Sequence, residues 1–590
     1  MSEIRARIES LRGVMREEGI SAYFIPTADF HGSEYVSDYF KVREFFSGFT
    51  GSAGSLLVTL EDALLWTDGR YFLQAEEELK DTGIKLMKMG EEGVKDVYQY
   101  IDENMPPKGV LGFDGRTVTV NEGKKLKKSA KKISYKKDLT KDIFKRPPFP
   151  KGGITNLPDE LTGMSAADKL GRIREELKRK GADGIFISRL DDIAYILNIR
   201  GEDIPYNPVA LAWLYITEDK ARIFIGDGKA DIAYPGILER PYEDITDFLK
   251  KGGAAGRVLV DFDSVNYLHY RLIKKNAGVI DEKSPSVMMK AVKNETEIRH
   301  LKEIFLKDSA ALTRFIKFMT ETEEELTETE AAKKLLAFRK ETGEFKGPSF
   351  ETISAFGKNA AVIHYEPSEE RKVVIEKKGL YMVDSGGQYE GGTTDVTRTL
   401  VMGELSDEER EAFTLVAAGM LNVCSAVFLK GTTGHQLDIL ARQRLWSRGM
   451  DYKHGTGHGV GYMLNVHEGP VSIRSRADKR DCPLEPGMIV SDEPGVYRAG
   501  KFGVRTENIL LVTEALKTED GTFYRFENLT AVPIDHRGMD LNLLDEREKK
   551  IYMEYQEDVC KKLDSFLSEE EKSWLRDYTG LSENEKEMGN

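Results

Sequence analysis

Short apolar runs alternate with amphipathic stretches over roughly the first 140 residues. Ala22–Pro26, Gly54–Leu60, Ala63–Trp66 and Val110–Phe113 are apolar enough to predict strands, and Arg70–Leu79 and Gly93–Asn104 carry helical spacing. Such alternation predicts an α/β layer. The opening IRARIESLRGVMREEGISAYFI is a basic amphipathic helix, a glycine turn and an apolar strand, and DKLGRIREELKRKGADGIFI at Asp168–Ile187 repeats that order. The repeat predicts a duplicated domain, with copies at 1–150 and about 160–290. Between them, Arg146–Glu160 holds four prolines and two glycines and predicts an irregular linker.

Near Ser284–Lys293 the pattern changes. KNETEIRHLKEIFLKDSAALTRFIKFM predicts one long helix, opened by Asn294 and Glu297 at the spacing of a capping box. A third domain, 294–535, starts there, and a charge-rich helical extension, 536–590, follows, with a second box at Ser568 and Glu571. Three to five cores suit a chain of 590 residues. A hydrophobic content of 40 % with 32 % charged residues describes a soluble globular protein. A net charge of −14 argues against a nucleic-acid surface, so the Lys-rich stretch Lys124–Lys137 reads as a solvated helix face. Three cysteines, none in a CxxC pair, fit a reducing compartment, and the charged N-terminus lacks the apolar region of a signal peptide. The expected location is cytoplasmic.

Candidate chemistry is concentrated between Asp384 and Glu507. The segment YMVDSGGQYEGGTTDVTRTL predicts a hairpin turning between Tyr389 and Glu390, which sets Asp384 opposite Asp395. Opposed side chains have Cβ atoms ~4.5–5.5 Å apart, and two buried like charges at that distance call for a cation. SDEPGVYRAGKFGVRTEN predicts a second hairpin about Gly500 and sets Glu493 against Glu507. Between them, HGTGHGVGYMLNVHEGP supplies His454, His458 and His467. Four carboxylates and the His458 imidazole, with no thiolate, suit Mn²⁺, Fe²⁺, Co²⁺ or Zn²⁺. Either Asp395 or Glu507 can bridge two ions, and two ions ~3.5–4 Å apart generate a hydroxide nucleophile and polarise a carbonyl. Ala412–Leu429 is uncharged for 18 residues, the length of a short membrane span. Thr414, Asn422 and Ser425 interrupt it, and a span there would divide Asp384 and Asp395 from His458, so it reads as a buried helix.

These residues resemble the pita-bread metallopeptidases, the group of methionine aminopeptidase, prolidase and aminopeptidase P. Asp384, Asp395, His458, Glu493 and Glu507 match the family's five ligands in order, and HGTGHGVG is similar to a family signature. FTGSAG at Phe49–Gly54, WTDGRYFLQA at Trp66–Ala75 and LDDIAYILNIRGEDIPYNPV at Leu190–Val209 are similar to the two N-terminal domains of aminopeptidase P. The resemblance implies α/β and α+β architecture: two creatinase-type domains, a pita-bread catalytic domain and a helical extension, as in the large three-domain aminopeptidases P. It implies two divalent metal ions, manganese first, with zinc or cobalt as alternatives. Asp384 would bind one ion, Asp395 and Glu507 both, and His458 and Glu493 would complete the shells. Glu493 would take a proton from the bridging water. His364 and His467 would steady the substrate, His454 would line the proline pocket, Arg505 would hold Asp395, and Tyr497 would be a proton or hydrogen-bond partner. The implied reaction releases the N-terminal residue from peptides with proline at position 2, by attack of a metal-bridging hydroxide, in a homodimer. The alternatives are an Xaa-Pro dipeptidase and a non-catalytic peptide-binding protein of this fold.

Overall fold

The computed structural model describes residues 3–226, 232–477 and 481–582. The last eight positions of the expected extension and short parts of each of the three domains lie outside the described residues. The chain divides between Val287 and Met288 into two compact units.

The first unit contains the same sheet twice. Strands β1 (Ala22–Pro26), β2 (Ser55–Thr59), β3 (Ala63–Thr67), β4 (Lys85–Lys88), β5 (Leu111–Phe113) and β6 (Ile133–Ser134) lie in the order β4-β3-β2-β1-β5-β6. Gly184–Ile187, Ala212–Thr217, Ala221–Ile225, Ile237–Pro241, Arg257–Val260 and Gly278–Asp281 take the same six places in a second sheet. The central hairpins are antiparallel and the outer pairs parallel in both. Each copy opens with an amphipathic helix. Glu3–Glu17 buries Ile8, Leu11 and Met15, at helical spacing, in one core with Tyr23, Ile25, Leu56 and Val58 of the sheet. Ala166–Lys180 is capped by Ser165 and stops at Gly181, whose φ of +61° suits a residue without Cβ.

The two copies meet through equivalent backbone. Thr119 and Asn266 each cap the helix that follows the fifth strand, and they face each other in an antiparallel bridge. Val120 N–H donates to the Val265 carbonyl (3.0 Å) and Tyr267 N–H to that of Val118 (2.8 Å). Asn121 N–H donates to the Phe262 carbonyl and Leu268 N–H to that of Gly115. Each bond in one direction has a counterpart in the other.

Three sequence expectations need correction. The linker is irregular only to Gly153: Ile154–Asn156 pairs with Ile199–Gly201, and Asp159–Thr162 is a helical turn. Between Gly153 and Pro158 every residue keeps its N–H, so a ladder can form. The helix expected from Gly93 starts at Val97, where Asp96 and Gln99 form a capping box. The Lys-rich stretch is helical only to Ala130, beyond which Lys131 adopts φ 61° and the chain turns into β6.

The second unit opens with the helix Glu295–Glu321, capped by Asn294 and Glu297 as the sequence predicts. Behind it, Val427–Leu429, Gly521–Asn528, Asn508–Thr518, Ile489–Asp492, Gly457–Gly459 and Glu468–Ile473 form an antiparallel sheet in that order. A smaller sheet joins Ile353–Phe356, Leu380–Ser385 and Val396–Val401. The uncharged run is helical only to Cys424, within the buried helix Asp407–Cys424, whereas Val427–Leu429, expected in that helix, is an edge strand; among the described residues no helix is long and apolar enough to cross a membrane. That helix shares a core with Val496, Phe502 and Val504 of the second hairpin and with Tyr552, Tyr555 and Val559 of the C-terminal helix Glu546–Leu563. The extension therefore packs on the second unit. Leu415→Ala opens a cavity in that core, and the expected loss of about 2–5 kcal/mol is measured by urea unfolding followed by circular dichroism.

Candidate metal centre

Two hairpins supply the four carboxylates. In the first, Asp384 pairs with Thr397, Ser385 with Val396 and Gln388 with Thr393. The turn is therefore centred between Glu390 and Gly391, not between Tyr389 and Glu390, and Gly391 takes the positive φ of 102°. Asp384 and Asp395 are diagonal neighbours and do not stand directly opposite. The register differs by two residues in the pairing, so both side chains stay on one face. In the second hairpin Asp492 pairs with Asn508 and Gly495 with Arg505, the register that sets Glu493 against Glu507 about Gly500.

His458 reaches the same place from the strand Gly457–Gly459. A register shift between His458 and Gly459 breaks the ladder there, and such bulges re-aim side chains. Gly457 lies so close to the neighbouring strand that a Cβ would stand 1.8 Å from the Ser491 carbonyl oxygen. The His458 N–H donates to Ser491 Oγ (2.9 Å), and Nδ1 lies 3.0 Å from the Gly459 carbonyl. That carbonyl only accepts, so Nδ1 carries the proton and Nε2 is left as a ligand atom.

Nε2 of His458 is 3.4 Å from Asp395 Oδ2 and 3.6 Å from Glu493 Oε1. Ligand atoms of Asp395, His458 and Glu507 all lie within 4.8 Å of one another. Thr397 donates to Glu507 Oε2 (2.8 Å), while Glu507 Oε1 and Asp384 Oδ1 are buried without a hydrogen-bond partner. Orphaned buried carboxylate oxygens are costly, and a hard cation is the partner that fits them. The residues present thus suit a carboxylate–imidazole metal site.

The electrostatics point the same way. Burial, then the nearby carboxylates, pushes Glu507 well above the usual carboxylate range. Burial raises Asp384 against the pull of Arg505, and it lifts Glu493 to about 7 despite His458 and Arg505. Burial alone would lower His458, but Asp395 and Glu493 outweigh it and hold the imidazole at about 9. Without a cation the pocket keeps protons that two positive charges would displace.

Arg505 is placed differently from the sequence expectation. Nη2 donates to Asp384 Oδ2 (2.6 Å), not to Asp395, and Nη1 to Tyr497 Oη (2.8 Å). Tyr497 Oη lies 2.9 Å from His454 Nε2, and His454 Nδ1 lies 2.7 Å from the Gly455 carbonyl. Nδ1 therefore donates, Nε2 accepts, and Tyr497, kept protonated by burial that pushes it up to about 12, donates to the histidine. His454, Tyr497, Arg505 and Asp384 form one chain. The His467 ring stands edge-on to His458, centroids 4.3 Å apart. His364 is half-buried and follows Ile363, whose carbonyl accepts from Arg505 Nη2 (3.4 Å). The sequence reading missed Thr397. The available signal was period two: Thr397 lies two positions after Asp395, on the same face.

The comparisons bear on the whole chain. Residues 299–514 match the model of metallopeptidase family M24, and 522–580 that of the C-terminal region of the same peptidases. Residues 7–142 and 145–297 each match a creatinase/prolidase N-terminal domain. The probable Xaa-Pro aminopeptidase P of Laccaria bicolor is 40 % identical over 97 % of this chain and 92 % of its own length. The chain belongs to the Xaa-Pro aminopeptidases of metallopeptidase family M24. The Xaa-Pro aminopeptidase 1 of Dictyostelium discoideum is 37 % identical over 95 % of this chain and 93 % of its own. Among solved structures, the Caenorhabditis elegans X-prolyl aminopeptidase, described as a cytosolic enzyme with a di-nuclear active site, superposes with a TM-score of 0.93. It is 32 % identical and covers 98 % of this chain and 100 % of its own. The Xaa-Pro dipeptidase of Bacillus anthracis, 27 % identical with a TM-score of 0.50, covers 99 % of its own length but only 63 % of this chain. This family frame agrees with the two like sheets, the catalytic unit and its extension.

The raised value of Glu493 sets the sign of a pH effect. A carboxyl whose folded pKa is raised favours the fold most when protonated, and that contribution is lost as pH climbs from about 4.5 through about 7. Glutamine does not titrate. In EDTA, the melting temperature of Glu493→Gln minus that of wild type is expected to rise between about pH 5 and pH 7.5. Thermal melts across that range check it, and a flat difference would contradict the placement of Glu493 among buried charges.

Proposed function

We propose that this chain is a dinuclear metalloaminopeptidase that releases the N-terminal residue from peptides with proline in second position. The observation that carries the reading is the cluster of Asp395, His458 and Glu507 donor atoms, with orphaned oxygens on Asp384 and Glu507, in a chain that matches an X-prolyl aminopeptidase over 98 % of its length. An Xaa-Pro bond is a tertiary amide without an N–H, and its ring fixes φ. Peptidases that grip an extended backbone through that N–H cannot use it. Divalent cations, when bound, supply an activated water and polarise the scissile carbonyl.

The chain's own groups take the remaining work. Asp384, Asp395, His458, Glu493 and Glu507 would hold the metal ions. Glu493, half-buried and raised to about 7, would be suited to accept the water's proton. Arg505 donates to Asp384 and fixes its carboxylate from one side, and it steadies Tyr497 and, through it, His454 against the proline ring. His364 and His467 orient the substrate carbonyl. Manganese is the metal proposed, with zinc or cobalt as alternatives, in a cytoplasmic homodimer built from segments 1–150, 160–290, 294–535 and 536–590.

Two experiments test this. Asp395→Asn is expected to abolish hydrolysis and to weaken metal binding by more than the roughly 10- to 100-fold seen when only a ligand's hydrogen-bond partner is changed. A variant that keeps full activity would sink the site. Metal-stripped protein is then reloaded with Mn²⁺, Zn²⁺ or Co²⁺ and assayed on Xaa-Pro dipeptides and on longer Xaa-Pro peptides. Cleavage of both is expected, with Mn²⁺ most active; cleavage of dipeptides alone would make the chain a prolidase.

A further inference from the structure

We propose that Arg398, braced by Tyr555 of the C-terminal helix, is a positioning residue for the metal ligand Glu507, so that the extension takes part in metal binding. The inference rests on the reading of Glu507 as a ligand.

Arg398 follows Thr397 in the strand Val396–Val401, so the two side chains leave on opposite faces. Thr397 faces the carboxylates and Arg398 points away, to a place where it is 1 % exposed. Its Nη1 donates to the carbonyls of Thr397 (2.8 Å) and Glu507 (2.6 Å). Nη2 donates to Asn508 Oδ1 (2.7 Å), the Val532 carbonyl (2.8 Å) and Tyr555 Oη (2.8 Å), and Nε to the Pro533 carbonyl (3.1 Å). None of these acceptors is a carboxylate. Two other buried arginines of the same unit each have one: Arg339 pairs with Asp308 and Arg442 with Asp438, both at 2.7 Å. A purely structural cation is most cheaply buried that way. Arg398 instead turns its fork to neutral oxygens that tie Thr397 and Glu507–Asn508 to Val532–Pro533 and to Tyr555 of the C-terminal helix.

Glu507 is consequently fixed at three points by two consecutive residues. Its N–H donates to the Thr397 carbonyl (3.1 Å), its carbonyl accepts from Arg398, and its Oε2 accepts from Thr397. Only Oε1 is left open. Tyr555 closes the arrangement from the far side: its hydroxyl donates to the Val532 carbonyl (2.7 Å) while accepting from Arg398. Losing that hydroxyl takes away one of the three acceptors around Nη2 and the tyrosine donor to the Val532 carbonyl, and frees the fork to rotate away from the Glu507 carbonyl.

The test uses full-length protein stripped with EDTA and titrated with Mn²⁺ or Co²⁺ alone. Calorimetry gives the affinities, and the visible spectrum of bound Co²⁺ reports the ligand geometry. Tyr555→Phe is expected to weaken the less tightly held ion about 3- to 10-fold and Arg398→Lys about 10- to 100-fold, the range for partners of metal ligands, with an altered Co²⁺ spectrum. Val559→Ala, a buried residue of the same helix that does not touch Arg398, serves as the control. It is expected to lower the melting temperature and keep the wild-type affinity and spectrum. Wild-type affinity and spectrum in Tyr555→Phe would overturn the inference, even if Arg398→Lys fails to fold. So would an equal loss of affinity in Val559→Ala. A wild-type protein that binds two ions beside an unaffected Tyr555→Phe overturns this inference alone, whereas a wild type that binds none overturns the site reading and this inference together.

Discussion

Four carboxylates in one buried pocket repel one another, and the architecture of the second unit follows from holding them there. Burial alone drives Asp384, Glu493 and Glu507 toward protonation. A fold that keeps them together must fix each from behind without neutralising the oxygens that face inward. Arg505 does so for Asp384, and Thr397 for Glu507. His458 is aimed by its own backbone carbonyl and by Ser491. The orphaned oxygens that remain, Asp384 Oδ1 and Glu507 Oε1, are those that no protein donor reaches.

Hairpins suit this task because their side chains alternate with period two and their strands cannot slip by one residue without turning a carboxylate outward. The close approach of Gly457 to Ser491 adds a second constraint. It locks the strand of His458 to the strand that ends just before Glu493, so the imidazole and that carboxylate hold a fixed separation. The helix Asp407–Cys424, uncharged from Ala412 onward, supplies the apolar floor beneath the second hairpin, through Val496, Phe502 and Val504.

Much of this was legible in the sequence where a local rule decides the geometry. The second hairpin is symmetric about Gly500, and its register followed from counting. The first was misjudged by two residues in the pairing because the turn needs its positive φ on Gly391, and counting about Tyr389 and Glu390 ignored that demand. The error kept Asp384 and Asp395 on one face because it was even. The partner of Arg505 was not legible. Asp384 and Asp395 are both acidic, both near it in the fold and indistinguishable by spacing, and only the lateral packing of the hairpins selects Asp384. The repeated helix–strand opening was readable from periodicity, while the strand order β4-β3-β2-β1-β5-β6 depends on pairings between distant segments that no local pattern encodes. Arg398 and Tyr555 gave no signal at all, since a strand arginine and a helix tyrosine are ordinary until their shared oxygen partners are seen.

The joint between the two N-terminal sheets has a further meaning. Val118–Val120 and Val265–Tyr267 occupy equivalent positions and exchange hydrogen bonds reciprocally, which is the symmetry of an isologous dimer interface realised inside one polypeptide. Each copy therefore carries a patch complementary to itself. The connecting segment raises the effective concentration of one copy at the other and is itself tied down where Ile154–Asn156 pairs with Ile199–Gly201. Insertions in that segment can be absorbed without loss of the joint, whereas a change at Thr119 or Asn266 disturbs one half of a matched pair, leaving its counterpart to a partner that no longer mirrors it.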